Sequence, residues 1–73
     1  MNTKERNYFQ KLGAKIKKLR EAKDIDQKSF AFECQIGRTQ LYMIENGKTN
    51  PRLHTLMKIA DGLDISVSKL LKS

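Results

Sequence analysis

The stretch that decides the fold is Gln27-Lys28-Ser29-Phe30-Ala31-Phe32-Glu33-Cys34, then Gln35-Ile36-Gly37, then Arg38-Thr39-Gln40-Leu41-Tyr42-Met43-Ile44-Glu45-Asn46-Gly47. Two short amphipathic segments joined by three residues have the length and spacing of a helix-turn-helix, a motif that lays its second helix in the DNA major groove. Asp26 suits the N-cap of the first segment, because its carboxylate accepts the free N–H groups of the opening turn. Ile25 and Phe30 then occupy N′ and N4, the positions of a hydrophobic staple. Ile36 and Leu41 repeat the arrangement around the second segment, with Gly37 at its N-cap. Two staples fix both approach angles, which a reading head requires. Ala31, small and on the inner face beside Phe30, lets a crossing helix come close. Gly47 can adopt a positive φ and close the second segment.

Working outward, Phe9, Leu12, Ile16 and Leu19 recur at helical spacing and predict a first helix over about residues 7–23. Residues 1–6 read as a mobile polar arm, so the domain is expected over 7–73. Lys11, Lys15, Lys18 and Lys23 lie off the apolar stripe and read as a solvated face. Lys48 to Pro51 form a loop, since Pro51 biases Asn50 away from the helical region. Leu53, Leu56, Met57, Ile59 and Ala60 make a fourth helix, and Ser66 caps a last one carrying Val67, Leu70 and Leu71. The class is all-α with five helices, the helix-turn-helix being helices two and three.

Seventy-three residues make one domain with a small core. Fifteen Lys and Arg against eight Asp and Glu give a net charge of +7, which favours polyanions, nucleic acid or an anionic membrane surface. No apolar run approaches the ~20 residues a bilayer needs, and the polar N-terminus is no signal peptide, so a cytoplasmic protein is expected. A membrane-surface role for the basic first helix conflicts with the need for its apolar stripe in the core. Cys34 and His54 are the only residues of their kinds, which leaves no disulfide, no metal site and no base beside a nucleophile. An enzyme is therefore not expected, nor a cofactor, nor a small-molecule ligand.

At 100° per residue, Leu41 and Ile44 define the buried side of the second segment. The opposite side collects Thr39, Tyr42, Met43 and Asn46, with Arg38 and Gln40 at its edges. Arg38 can pair bidentately with a guanine or touch phosphate alone. Thr39 and Met43 can meet a thymine methyl, although Met43 also reads as spare apolar surface. Tyr42 can reach phosphate or sugar, or pack against its own helix. Gln27, at the first position of its helix, sits where backbone N–H groups and the helix dipole attract an anion, and its amide can donate to a phosphate. Asn46, Lys48 and Arg52 are placed to clamp the backbone on the far side.

These residues closely resemble the Cro/C1-type helix-turn-helix family, the XRE-like, lambda-repressor-like fold. The resemblance rests on Gln27, Ala31, Ile44-Glu45-Asn46-Gly47-Lys48, Pro51 and the LHTLMKIA run from Leu53 to Ala60, and it spans about residues 9–72. It implies phosphate contacts at Gln27 and Asn46, base contacts at Arg38, Thr39 and Met43, and a structural pair between Glu45 and Arg20. It also implies a dimer formed through the segment from Leu63 to Leu71, with Leu63, Ile65, Val67, Leu70 and Leu71 at the interface. The chain departs from the family pattern in places. Gln35 and Asp64 stand where glycine is usual, and a left-handed Gln costs ~1 kcal/mol. Gly37 replaces a Ser or Thr. Phe32 replaces a polar residue, and either covers the first helix near Tyr8 or forms a partner patch.

The expected function is a sequence-specific, double-stranded-DNA-binding transcription regulator, a homodimer on a palindromic operator. With no sensor domain expected after Ser73, regulation falls to concentration and dimerisation, as in restriction–modification controllers or phage-type repressors. The alternative is an antitoxin-like module that mainly sequesters a protein partner, against which the lack of a long C-terminal tail counts.

Overall fold

A computed structural model describes residues 2–72, in which five helices follow one another: α1 (Thr3–Ala22), α2 (Gln27–Cys34), α3 (Arg38–Glu45), α4 (Leu53–Gly62) and α5 (Val67–Leu71). Helix α1 starts earlier than the apolar periodicity predicts. Asn2 is its N-cap, its side-chain oxygen accepting from the Glu5 N–H at 2.9 Å, and Glu5 places negative charge in the first turn where the helix dipole favours it. The expected arm over residues 1–6 is therefore helical from Thr3 onward, Met1 lying outside the described residues. Ser73, the end of the expected domain, also lies outside them.

The core collects Ile16 from α1, Phe30 from α2, Leu41 and Ile44 from α3, Ile59 from α4 and Leu70 from α5, all fully buried. Ile25 and Ile36, the outer members of the two staples, pack half-buried against it. Cys34 is buried in the same core, and that burial pushes its thiol up to about 11, which keeps it protonated and unreactive at neutral pH. Helices α1 and α3 cross at close range over Gly13: a Cβ there would stand 2.7 Å from the Glu45 carbonyl oxygen. Gly47, at φ 67°, turns the chain beneath α1, where a Cβ would come within 2.6 Å of the Gln10 Cα.

The turn between α2 and α3 is left-handed at Gln35, with φ 59° and ψ 43°, and Gly37 is extended at the N-cap of α3. Asp64 likewise takes a positive φ after α4, and Asp24 does so after α1.

Helix α5 is only five residues long and is held at both ends. Ser66 accepts from the Lys69 N–H at 3.0 Å, and the Lys15 ammonium donates to the carbonyls of Lys69 at 2.8 Å and Lys72 at 2.6 Å. Lys15 is thus a helix-capping residue rather than part of an idle solvated face. Two of the residues expected at a dimer surface, Leu63 and Leu70, are buried in the core of the single chain, because α5 packs on both α1 and α4. Ile65, Val67 and Leu71 are only half-buried. Phe32 is 83% exposed and covers nothing on α1. Leu53 and Met57, read as part of the fourth helix's apolar stripe, also face outward. Among the described residues no helix is long and apolar enough to cross a membrane.

Candidate nucleic-acid interface

The site is built on a buried ion pair. The Arg20 guanidinium meets the Glu45 carboxylate with two N–H groups, Nε to Oε2 at 2.7 Å and Nη2 to Oε1 at 3.1 Å. Its third group, Nη1, donates to the Ile25 carbonyl at 2.6 Å. One side chain therefore ties α1 to the end of α3 and to the residue before the cap of α2. The Glu45 side chain is wholly buried and the Arg20 side chain is 7% exposed, so both charges depend on each other for solvation. That hydrogen bonding raises the Arg20 pKa further above its already high ordinary value.

On this frame α2 presents its N-terminus. Asp26 caps it, accepting from the Ser29 N–H at 2.8 Å, and that bond holds the Asp26 carboxyl below the usual carboxylate range. Gln27 follows at the first helical position, half-buried, with its Nε2 donating to Glu45 Oε1 at 2.9 Å. Gln27, Arg38, Thr39 and Tyr42 together line one shallow depression of about 300 Å³ where the start of α2 meets the outer face of α3. Arg38, Thr39 and Tyr42 are exposed, and Met43 is half-buried beside them. Among the described residues no carboxylate lines this depression, in a chain whose net charge is +7.

The remaining expected site residues do not line the depression and differ in how they fit the reading. Lys48 holds its ammonium 5.5 Å from the centroid of the Tyr42 ring, a cation–π contact that brings loop charge to the edge of the α3 face. Asn46 donates from Nδ2 to the Tyr42 carbonyl at 2.8 Å, closing the last turn of α3. Arg52 is exposed at the N-cap of α4. Gln40 leans the other way, its Nε2 lying 3.5 Å from the Thr55 hydroxyl on α4, at the limit of a hydrogen bond. The bond from Gln27 to Glu45 is the feature that sequence reasoning missed. A glutamine at the first helical position signals a phosphate contact, but nothing in its neighbours signals that its amide also faces inward.

A family profile described as "Helix-turn-helix" matches residues 16–70, from the middle of α1 into α5. The chain is 48% identical over 61 residues to the control protein C.MunI of a Mycoplasma species, covering 82% of each chain. It is 35% identical over 60 residues to the control protein C.BamHI of Bacillus amyloliquefaciens, covering 81% of this chain and 74% of that one. Among solved structures, the restriction-modification controller protein C.AhdI from Aeromonas hydrophila superposes with a TM-score of 0.82 at 32% identity, covering 85% of this chain and 94% of the other. With the fold, the ion-paired frame and these relatives in agreement, the chain belongs to the Cro/C1-type (XRE-like) helix-turn-helix family of DNA-binding transcription regulators.

Proposed function

We propose that the protein is a restriction–modification controller, binding as a homodimer to a palindromic operator and reading each half-site with α3. The observation that carries this reading is the single depression in which Gln27 from α2 meets Arg38, Thr39 and Tyr42 from α3. A phosphate donor beside base-reading side chains is the arrangement that sets a recognition helix in register on a duplex. On this reading Arg38, Thr39, Tyr42 and Met43 meet base edges, with Gln40 at the margin, while Gln27, Asn46, Lys48 and Arg52 meet phosphates. The named relatives support the controller role. Two copies suit the size of such an operator. The molecule's longest extent is 31 Å, and a half-site repeats only after about 34 Å, so one chain covers one half-site. Ile65, Val67 and Leu71 supply the surface for pairing, and the cytoplasm is the expected compartment.

Selection from a random duplex library at two salt concentrations tests this. A two-fold symmetric motif is expected. Retention without any motif, lost at moderate salt, would reduce the interaction to phosphate attraction. A protein-partner role of the antitoxin kind rests on the exposure of Phe32, and a stable complex with the neighbouring gene product, in place of a motif, would favour it.

A further inference from the structure

We infer that Glu45 is a positioning residue for DNA binding, holding the Gln27 amide nitrogen so that one N–H is spent on Glu45 and the other is left for the phosphate. The inference rests on the proposed phosphate contact of Gln27. A glutamine amide has two nearly identical ends, one that donates and one that accepts. Left free, the amide rotates, and only its nitrogen end can donate to a phosphate. Glu45 removes that freedom. Its carboxylate is an acceptor only, held by two bonds from Arg20, so it is the Gln27 nitrogen, not the oxygen, that lies against it at 2.9 Å. The same nitrogen carries a second hydrogen, which remains for the phosphate in the depression shared with Arg38, Thr39 and Tyr42. A charged acceptor on one N–H also polarises the amide and strengthens the other N–H as a donor. The buried pair therefore orients the contact as well as joining α1, α2 and α3.

This reading has a sign that a Coulomb argument does not share. Removing a negative charge near a polyanion raises affinity by simple electrostatics. Loss of the orienting acceptor lowers it. Affinity for the duplex recovered by the selection is measured for the wild type, Glu45→Gln, Gln27→Ala and the double variant. Glu45→Gln is expected to weaken binding by about 3- to 10-fold without changing base preference, and Gln27→Ala by a similar factor. The double variant is expected to bind no more weakly than Gln27→Ala alone. Unchanged or tighter binding by Glu45→Gln overturns the inference, as does a full further loss in the double variant. If Gln27→Ala itself binds normally, the phosphate contact falls and takes the inference with it, a result distinct from the first two. A measurement on the unaltered protein guards against a Glu45→Gln variant that does not fold. The two Gln27 side-chain amide protons are followed by NMR. One slowly exchanging proton and one that shifts on adding the duplex are expected; two protons that both exchange as fast as those of an exposed glutamine, neither shifting on adding the duplex, overturn the inference.

Discussion

Arg38 is exposed at the first position of α3, the end of a recognition helix that meets base edges. Its fork can bind guanine O6 and N7 together, so Arg38→Ala is expected to relax preference at one half-site position and cost about 1–3 kcal/mol there. Binding to a panel of single-base operator variants checks this; an equal loss across the whole panel would mean phosphate contact alone. Gly13 is a residue whose value lies in what it lacks. In most helix interiors alanine gains ~1 kcal/mol over glycine. At Gly13 the added methyl meets the backbone of α3 at Glu45 and Ile44, which cannot rotate away as a side chain does. Overpacking costs ~1–3 kcal/mol, and rigid backbone puts this site at the upper end. Gly13→Ala is therefore expected to lower the unfolding free energy by about 1–2 kcal/mol net of propensity, read as a lower urea midpoint. A raised midpoint would show that α1 and α3 can part without penalty.

At the scale of the element, the caps make separate and opposite predictions from the core. Gly37 is the N-cap of α3 with no side-chain bond to the helix, its φ of −72° and ψ of 147° suit any L-residue, and the space where a Cβ would go is open. Gly37→Ser supplies an acceptor for the first-turn N–H groups and is expected to stabilise the fold by a few tenths to ~1 kcal/mol. Thermal unfolding measures it, and a lower melting temperature would mean the turn needs glycine for another reason. Arg20 is the reverse case. Arg20→Ala strands a wholly buried Glu45 carboxylate and frees the Ile25 carbonyl, so a loss of about 3–5 kcal/mol is expected, against under ~1 kcal/mol for a surface pair. A loss below ~1 kcal/mol would place the pair in contact with water. The elements themselves are readable from local signals. Period and caps locate α2, α3 and α5 from Asp26, Gly37 and Ser66, and the outward side of α3 follows from Leu41 and Ile44 pointing in. What cannot be read locally depends on packing between distant residues. Gln27 and Glu45 are 18 positions apart and meet because α2 packs directly on α3. Gly13 matters only once α3 lies across it. The start of α1 was hidden for another reason: residues before Tyr8 bury nothing, so the apolar pattern is silent there and only Asn2 with Glu5 marks the cap.

For the whole molecule, the question is which apolar side chains belong to the chain's own core and which are left for the proposed pairing of two copies. Periodicity cannot separate them, because a five-residue helix such as α5 is too short to show which of its apolar residues face the core. The fold does separate them. Leu70 is 1% exposed among residues of α1 and α4, whereas Leu71, the next residue, turns half outward. An aspartate at Leu70 would bury an unpaired carboxylate, a cost that rivals the total stability of so small a domain. Leu70→Asp is therefore expected to unfold, not to give a folded monomer. Leu71→Asp places its charge at the rim, so the chain keeps its helical circular dichroism while the copies repel. Sedimentation is expected to show a monomer, and operator affinity to fall steeply, because each chain then holds one half-site without the linkage of its partner. A Leu71→Asp protein that stays dimeric and binds normally would move the pairing surface away from α5. A folded Leu70→Asp protein would mean that α5 detaches from the core in solution, and that the Lys15 bonds to its last carbonyls do not hold it there.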